Sequence, residues 1–206
     1  MNNTEIIERV VCLLEGGLFG SFLSAVVLVG WIKKKDIYTL GSKNPGMANV
    51  MALFGIKTGL MVLGGDVLKT ILAAVAGYWI MGQNPLGILY GGMGAVLGHN
   101  WPFWNPKRGG KGVAVTCTLL ILFSPLYGTA ADIGGMLVVF LTGFLPLGAA
   151  VIPFLFFLYC LKMQSLEVMI LSLGLFTVML LRHRHGLLRI VRREEKPILK
   201  LIKRKK

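Results

Sequence analysis

The sequence predicts an all-α integral membrane protein of about seven transmembrane helices. Three observations carry this. Of 206 residues, 55% are hydrophobic and only 15% charged, against about 25% charged in an ordinary soluble domain. The mean hydropathy is +0.71. The cations fall in alternate polar stretches between apolar runs, which is the positive-inside pattern.

The elements follow in chain order, since a helical span needs about 20 apolar residues. Val10 to Ile32 reads as the first span, with Glu15 near its outer end. Leu53 to Met81 reads as an overlong second span. Met81 to Gly98 is short and Gly-rich, turning in at "QNP". Val113 to about Ala131 reads as the fourth, interrupted by Pro125. Ile133 to Leu161 is a nearly uncharged run of 29 residues, roughly 43 Å as one helix. It contains Gly143, Pro146, Gly148 and Pro153, so two short spans broken near "GFLPLG" are expected. Leu166 to Leu181 closes the series.

Seven spans put the N-terminus outside and the C-terminus in the cytoplasm. Lys33 to Lys35, Lys43, Lys107, Arg108 and Lys111 then share the inner side with eleven Lys/Arg between Arg182 and Lys206. No long polar linker appears, so 1–206 reads as one polytopic domain, with 182–206 a basic cytoplasmic tail. The formal net charge is +13. Beside an apolar span such a tail suits an anionic leaflet rather than nucleic acid. Glu5, Glu8 and Arg9 leave no positive n-region, so no signal peptide is expected. Cys12, Cys117 and Cys160 are odd in number and widely spaced, which fits neither a disulfide framework nor a zinc site.

Chemistry should lie in the polar stretches. In "GSKNPGMANV" (41–50), Gly41 and Gly46 permit positive φ and Pro45 fixes a turn, while Ser42, Asn44 and Asn49 offer small donors and acceptors. This stretch reads equally as an ordinary turn before the second span. In "KRGGKG" (107–112), glycines would let successive backbone N–H groups face one anion, beside Lys107, Arg108 and Lys111. A helix expected from about Val113 adds the field of its N-terminus. This is not a Walker A loop, because Gly112 follows the Lys where Ser or Thr is needed. The other reading is a positive-inside connector. Asp66 and Lys69 share a helix face three residues apart inside the second span. Each costs about 2.5–3.5 kcal/mol there unless paired or hydrated. Gly87/Gly91 and Gly94/Gly98 have the spacing of close helix packing. His99, His183 and His185 form no metal motif.

At these residues the chain resembles the acyl-phosphate:glycerol-3-phosphate acyltransferase family of bacterial inner membranes, the PlsY family. "GSKNPGMANV" is similar to its first motif, "DVLK" to its DxxK, "GHNWPFWNPKRGGKGVAVT" to its second motif and "RHRHGLLRIVRREEKP" to its third. The resemblance implies acyl transfer from acyl phosphate to the 1-hydroxyl of glycerol 3-phosphate, giving lysophosphatidic acid for phospholipid synthesis. It implies catalytic positions at Ser42, Lys111 and His183, with Ser42 and His183 helping to hold the acceptor. Asn44, Asn49, His99, Asn100, Gly109, Gly110, Gly112 and Arg189 would bind substrate. Asp66, Lys69 and Glu195 would support them. No metal or cofactor is implied; the partners are acyl phosphate, a small polyol phosphate and membrane lipid.

The chain departs from the family at Ala48 (usually Thr), Ala52 (usually Arg), Gly186 (usually Asn) and Arg193 (usually Gly). The missing Arg and Asn belong to the acceptor side in the family. A paralogue with another acceptor is therefore an alternative. So are an anion transporter, which should show an internal repeat that is not visible here, and a non-catalytic membrane protein on the same scaffold.

Overall fold

The computed structural model describes residues 2–195 and 197. Among these there are α-helices and short turns of 3₁₀-helix but no strand. The chain divides into two compact units, Met1–Phe123 and Ser124–Lys206.

The first unit holds six helices. α1 (Asn3–Ser21) starts at Asn2, whose side chain accepts from the Glu5 N–H at 2.9 Å, a standard N-cap. The expected first span is in fact two helices. Phe22 and Leu23 adopt extended conformations between α1 and α2 (Ser24–Lys33), although neither is Pro or Gly. The second span is also divided. Gly55, at φ +87, separates α3 (Met47–Phe54) from α4 (Ile56–Ile80). α5 (Pro85–Asn100) opens with Pro at its start and the Asn84 side chain accepting from Leu86 N–H at 2.9 Å. α6 (Val113–Phe123) is only 11 residues long.

α5 lies between α1 and α4, and its glycines explain how. Cβ atoms at Gly87 and Gly91 would strike the backbone of Gly77 and Ala73 on α4. Those at Gly94 and Gly98 would strike the carbonyls of Leu13 and Gly17 on α1. The two pairs of small residues thus face different neighbours. A side chain at any of the four would force whole helices apart.

The second unit is a three-helix hairpin series. The expected interruption at Pro125 is found, but the bounds differ: α6 ends at Phe123 and the next helix starts at Pro125, not at Ile133. Pro125 does not kink a helix but begins one, because the residue before a proline is pushed out of the helical region; Ser124 sits at φ −145, ψ 91. α7 (Pro125–Thr142) ends at Gly143, which is left-handed at φ 78. α8 (Leu145–Met163) follows, so the 29-residue run is two helices broken at "GFLPLG". α7 and α8 approach closely at Gly135 and Gly148 and stack Tyr127 on Tyr159 at 3.6 Å. α9 (Leu166–Val191) is capped by Ser165 and runs ten residues past Leu181. Residues 182–191 are therefore helix; the tail beyond 197 lies outside the described residues.

Among the described residues, five segments are long and apolar enough to cross a membrane: Asn3–Lys33, Ile56–Ile80, Pro125–Thr142, Leu145–Lys162 and Leu166–Val191. α6 is apolar but shorter, and α5 is 16 residues long.

Candidate active site

The first unit builds its polar centre where α5 ends. His99 and Asn100 are the last two residues of that helix, and both are buried. The glycine loop folds back over them. The Gly110 N–H donates to the His99 carbonyl at 2.9 Å. A Cβ at Gly109 would strike the Asn100 carbonyl, one at Gly110 the His99 Nε2, and one at Gly112 would lie 2.8 Å from Asn100 Oδ1. Gly112 also has φ +73, where a side chain is strained. The loop is glycine-rich because two backbones and two side chains meet there.

This packing changes how the loop can hold an anion. The Gly110 N–H faces inward to a carbonyl, so it is not one of the anion donors expected from successive glycines. Open backbone donors lie one step on. The first bond of the α6 ladder runs from Thr116 N–H to Gly112 O at 2.9 Å. The amides of Val113 to Val115 belong to the first turn, whose N–H groups have no carbonyl within the helix. Asn100 is fully buried, and neither its Oδ1 nor its Nδ2 has a hydrogen-bond partner among the described residues. An orphaned buried amide costs about 1–3 kcal/mol, which a bound oxyanion or water would offset. Lys111 is half-buried beside it, and Lys107 and Arg108 are exposed.

Behind His99 lies a charged cluster. Lys69 Nζ is 2.9 Å from Asp66 Oδ1 and 2.8 Å from His99 Nδ1. It also donates to the Phe22 carbonyl (2.8 Å) and the Gly20 carbonyl (3.2 Å). Those carbonyls are released by the break between α1 and α2. Ser24, just after the break, donates from Oγ to Asp66 Oδ1 at 3.1 Å. Asp66 and Lys69 are thus a buried pair, as their spacing predicted, but with partners from three further segments.

The loop of residues 41–50 is organised differently. Asn49 Oδ1 accepts from the Ser42 N–H at 3.0 Å, and Nδ2 donates to the carbonyls of Leu40 (3.2 Å) and Asn44 (3.1 Å). Both amide protons of Asn49 are in use, so it shapes the loop that carries Ser42 and Asn44. Ser42 is exposed and Asn44 half-buried. Gly41 (φ +54) and Lys43 (φ +59) supply the left-handed turns.

In the second unit, His183 and Gly186 are buried one turn apart on α9. A Cβ at Gly186 would lie 2.6 Å from Pro146 Cγ. Arg189 Nε pairs with Glu195 Oε2 at 2.5 Å, and the Glu194 and Glu195 N–H groups donate to the Arg189 carbonyl at 2.8 and 3.2 Å. Glu195 therefore supports Arg189 directly.

Sequence reasoning missed three holders. Ser21 accepts at Oγ from the Phe103 N–H (3.2 Å) and at its carbonyl from Trp104 Nε1 (2.9 Å). Ser24 holds Asp66. Tyr38 donates its hydroxyl to the Arg108 carbonyl at 2.8 Å, under the Arg108 guanidinium at 4.8 Å from the ring. Burial pushes the Tyr38 phenol up to about 12, opposed by the charge of Arg108, so it stays a donor. These partners lie 42 to 83 residues apart in sequence, where no local pattern shows them. Among the described residues no group of three His, Cys, Asp or Glu could hold a metal ion.

Known proteins match this chain in sequence and in fold. The family profile described as glycerol-3-phosphate acyltransferase matches residues 10–193. The glycerol-3-phosphate acyltransferase of Myxococcus xanthus is 34% identical over 89% of this chain and 96% of its own. That of Thermoanaerobacter pseudethanolicus is 34% identical over 84% and 87%. Glycerol-3-phosphate acyltransferase 1 of Lactobacillus johnsonii is 40% identical, over 64% of each chain. A crystal structure of PlsY (YgiH), an integral membrane glycerol 3-phosphate acyltransferase in its glycerol 3-phosphate form, shares the fold. Its TM-score is 0.81 at 23% identity, covering 92% of this chain and 94% of that one. With a family match spanning nearly all the helices and the fold in agreement, the chain belongs to the glycerol-3-phosphate acyltransferase family.

Proposed function

We infer that the chain is a membrane acyltransferase that moves a fatty acyl group from acyl phosphate to glycerol 3-phosphate, giving lysophosphatidic acid, at the cytoplasmic face of a bacterial inner membrane. In this reaction the acceptor's hydroxyl oxygen bonds to the acyl carbon. The bond from that carbon to the phosphate oxygen breaks, and the hydroxyl proton leaves with inorganic phosphate. Both substrates carry phosphate, so the work is mainly positioning and charge stabilisation.

One observation carries the phosphate part: the buried, unpartnered Asn100 amide at the glycine loop. With the first turn of α6 and Lys111 it makes a receptor for an oxyanion. Ser42, Asn44, His183 and Arg189 remain our choices for the acceptor. Purified protein should release inorganic phosphate from labelled acyl phosphate in step with a new acyl ester, and only when glycerol 3-phosphate is present. Phosphate release without the ester would sink the acyl-transfer reading.

Counting α1 with α2, and leaving out the short α3, seven apolar segments result. With the N-terminus outside, as the positive-inside charge pattern supports, the loops at 41–50 and 101–112 would lie inside. In intact cells a cysteine at Gln83 should react with an impermeant thiol reagent, and one at Lys107 should not. The opposite pattern would reverse the orientation.

A second reading is favoured by Ala52 and Gly186: altered use of the acceptor. Ala52 is exposed on α3 and offers no side-chain donor. Gly186 packs on Pro146, which leaves no room for an Asn. A panel of polyol phosphates with one acyl phosphate would show whether another acceptor is preferred.

A further inference from the structure

We propose that Lys69, held by Asp66, sets the tautomer of His99 and so makes the His99 Nε2–H a fixed donor at the glycine loop. Lys69 is a positioning residue acting through the ring. The role in turnover rests on the acyltransferase reading; the tautomer itself does not.

The partners of Lys69 decide its state. Three of its four neighbours, Asp66 Oδ1, Gly20 O and Phe22 O, can only accept hydrogen bonds. A nitrogen enclosed by acceptors is an ammonium, with three donors and no lone pair; they serve the three short contacts to Phe22 O, His99 Nδ1 and Asp66 Oδ1, and Gly20 O at 3.2 Å shares one of them. The fourth neighbour, His99 Nδ1 at 2.8 Å, must then present its own lone pair. In a neutral imidazole the proton is left on Nε2. An imidazolium would set its Nδ1–H against the ammonium. The rival arrangement has Nδ1–H donating to Asp66. That distance is 3.7 Å, beyond a hydrogen bond. Glu15 lines the same cavity as Lys69, but Asp66 is the carboxylate in contact.

The other end of the ring is equally constrained. Nε2 occupies the space a side chain on Gly110 would need, and the Gly110 N–H is anchored to the His99 carbonyl. The ring cannot turn over without breaking the Lys69 contact or moving the loop. The donor therefore faces the loop where the phosphate would sit. The break between α1 and α2 has a purpose on this view: its released carbonyls hold the ammonium in line with His99.

The test is nitrogen NMR on protein labelled with ¹⁵N-histidine, in detergent and without substrates. His99 signals are assigned by their loss in His99→Gln. The expected wild-type pattern is a neutral ring protonated at Nε2. In Lys69→Met, of similar length but uncharged, the pattern should become a mixture of tautomers or an imidazolium. The kcat should fall at least tenfold, and Lys69→Arg should recover part of both. A wild-type ring protonated at Nδ1 would overturn the proposal even if Lys69→Met failed to fold. So would an unchanged nitrogen pattern in a folded Lys69→Met protein. If the nitrogen shifts behave as expected but no acyl transfer is found in the wild type, the tautomer assignment stands and the acyltransferase reading falls.

Discussion

The two polar loops of the first unit use the same residue types to opposite ends. In the loop of residues 41–50, Asn49 makes three hydrogen bonds to its own loop. At the loop of residues 101–112, Asn100 at the end of α5 is more deeply buried and its side-chain amide makes none. Asn49 uses both amide protons and one acceptor position on its own loop, whereas the Asn100 side chain is left open, which is why we propose it for the phosphate. A buried polar group left open is the stronger sign of a ligand, because folding alone gains nothing from it. An asparagine in a motif is therefore not in itself a binding residue; where its amide points decides.

The most severe way to break the contrast is to close the receptive loop. Gly110→Ala puts a methyl group onto His99 Nε2, and the ring is held from behind by Lys69. Either the ring or the loop must shift by something near 1 Å, which costs about 100-fold in rate where geometry is catalytic. We expect kcat/KM to fall by that order while the protein still runs as a single peak in size-exclusion chromatography. Near-normal turnover would mean the loop is a connector.

Lys111→Ala tests the charge of the same loop. Losing a charge-assisted hydrogen bond to phosphate is worth about 1.5–3 kcal/mol, or roughly ten- to a hundredfold in turnover at about 1.36 kcal/mol per tenfold. Steady-state kinetics on the purified variant would show this. Unchanged kinetics would leave Lys111 as a positive-inside charge only.

A paired experiment sharpens the contrast most directly. Asn49→Ala removes three bonds and leaves the Ser42 N–H and two carbonyls without their partner. It should lower stability by about 1–3 kcal/mol, seen as an earlier loss of the monodisperse peak on heating. Asn100→Ala removes an amide that has no partner. It should leave that thermal profile in place and lower turnover about tenfold. If the two variants exchange these behaviours, the roles given to the two loops are reversed.

How far the sequence showed this follows the range of each interaction. Hydropathy and proline found the break at "GFLPLG", since Gly143 and Pro146 act on their own neighbours. The i, i+3 spacing found the Asp66–Lys69 pair. The break at Phe22–Leu23 was hidden, because no local breaker residue causes it; Lys69, 47 residues away, satisfies the Phe22 carbonyl. Pro125 was read as an interruption within the fourth span, not as the start of the next helix, and Gly55 was overlooked inside an apolar run. At the site, the glycines and cations marked in the sequence the loop for which we propose anion binding. The inward turn of the Gly110 N–H was not, since it depends on the end of α5. The opposite roles of Asn49 and Asn100 were equally hidden, because composition does not tell which amide is satisfied.

The smallest expected effect concerns the acceptor side, where this chain departs from its family. Restoring both missing residues looks natural from the motifs, but the two positions are not equivalent. Ala52 is exposed and has space for a larger side chain. Gly186 has Pro146 Cγ at 2.6 Å and Cβ at 2.9 Å from where its own Cβ would be, and a proline ring has little freedom to retreat. Gly186→Asn should therefore destabilise the second unit and gain nothing, so the double variant would confuse damage with repair. Ala52→Arg alone is the clean test. An exposed cation near a phosphate contributes at most about 1 kcal/mol, so the KM for glycerol 3-phosphate should fall no more than about fivefold. That modest fall, with kcat unchanged, would mark position 52 as a lost acceptor contact. An unaltered KM over a full concentration range would mean that other residues already hold the acceptor. Altered acceptor use would then have no support from this position.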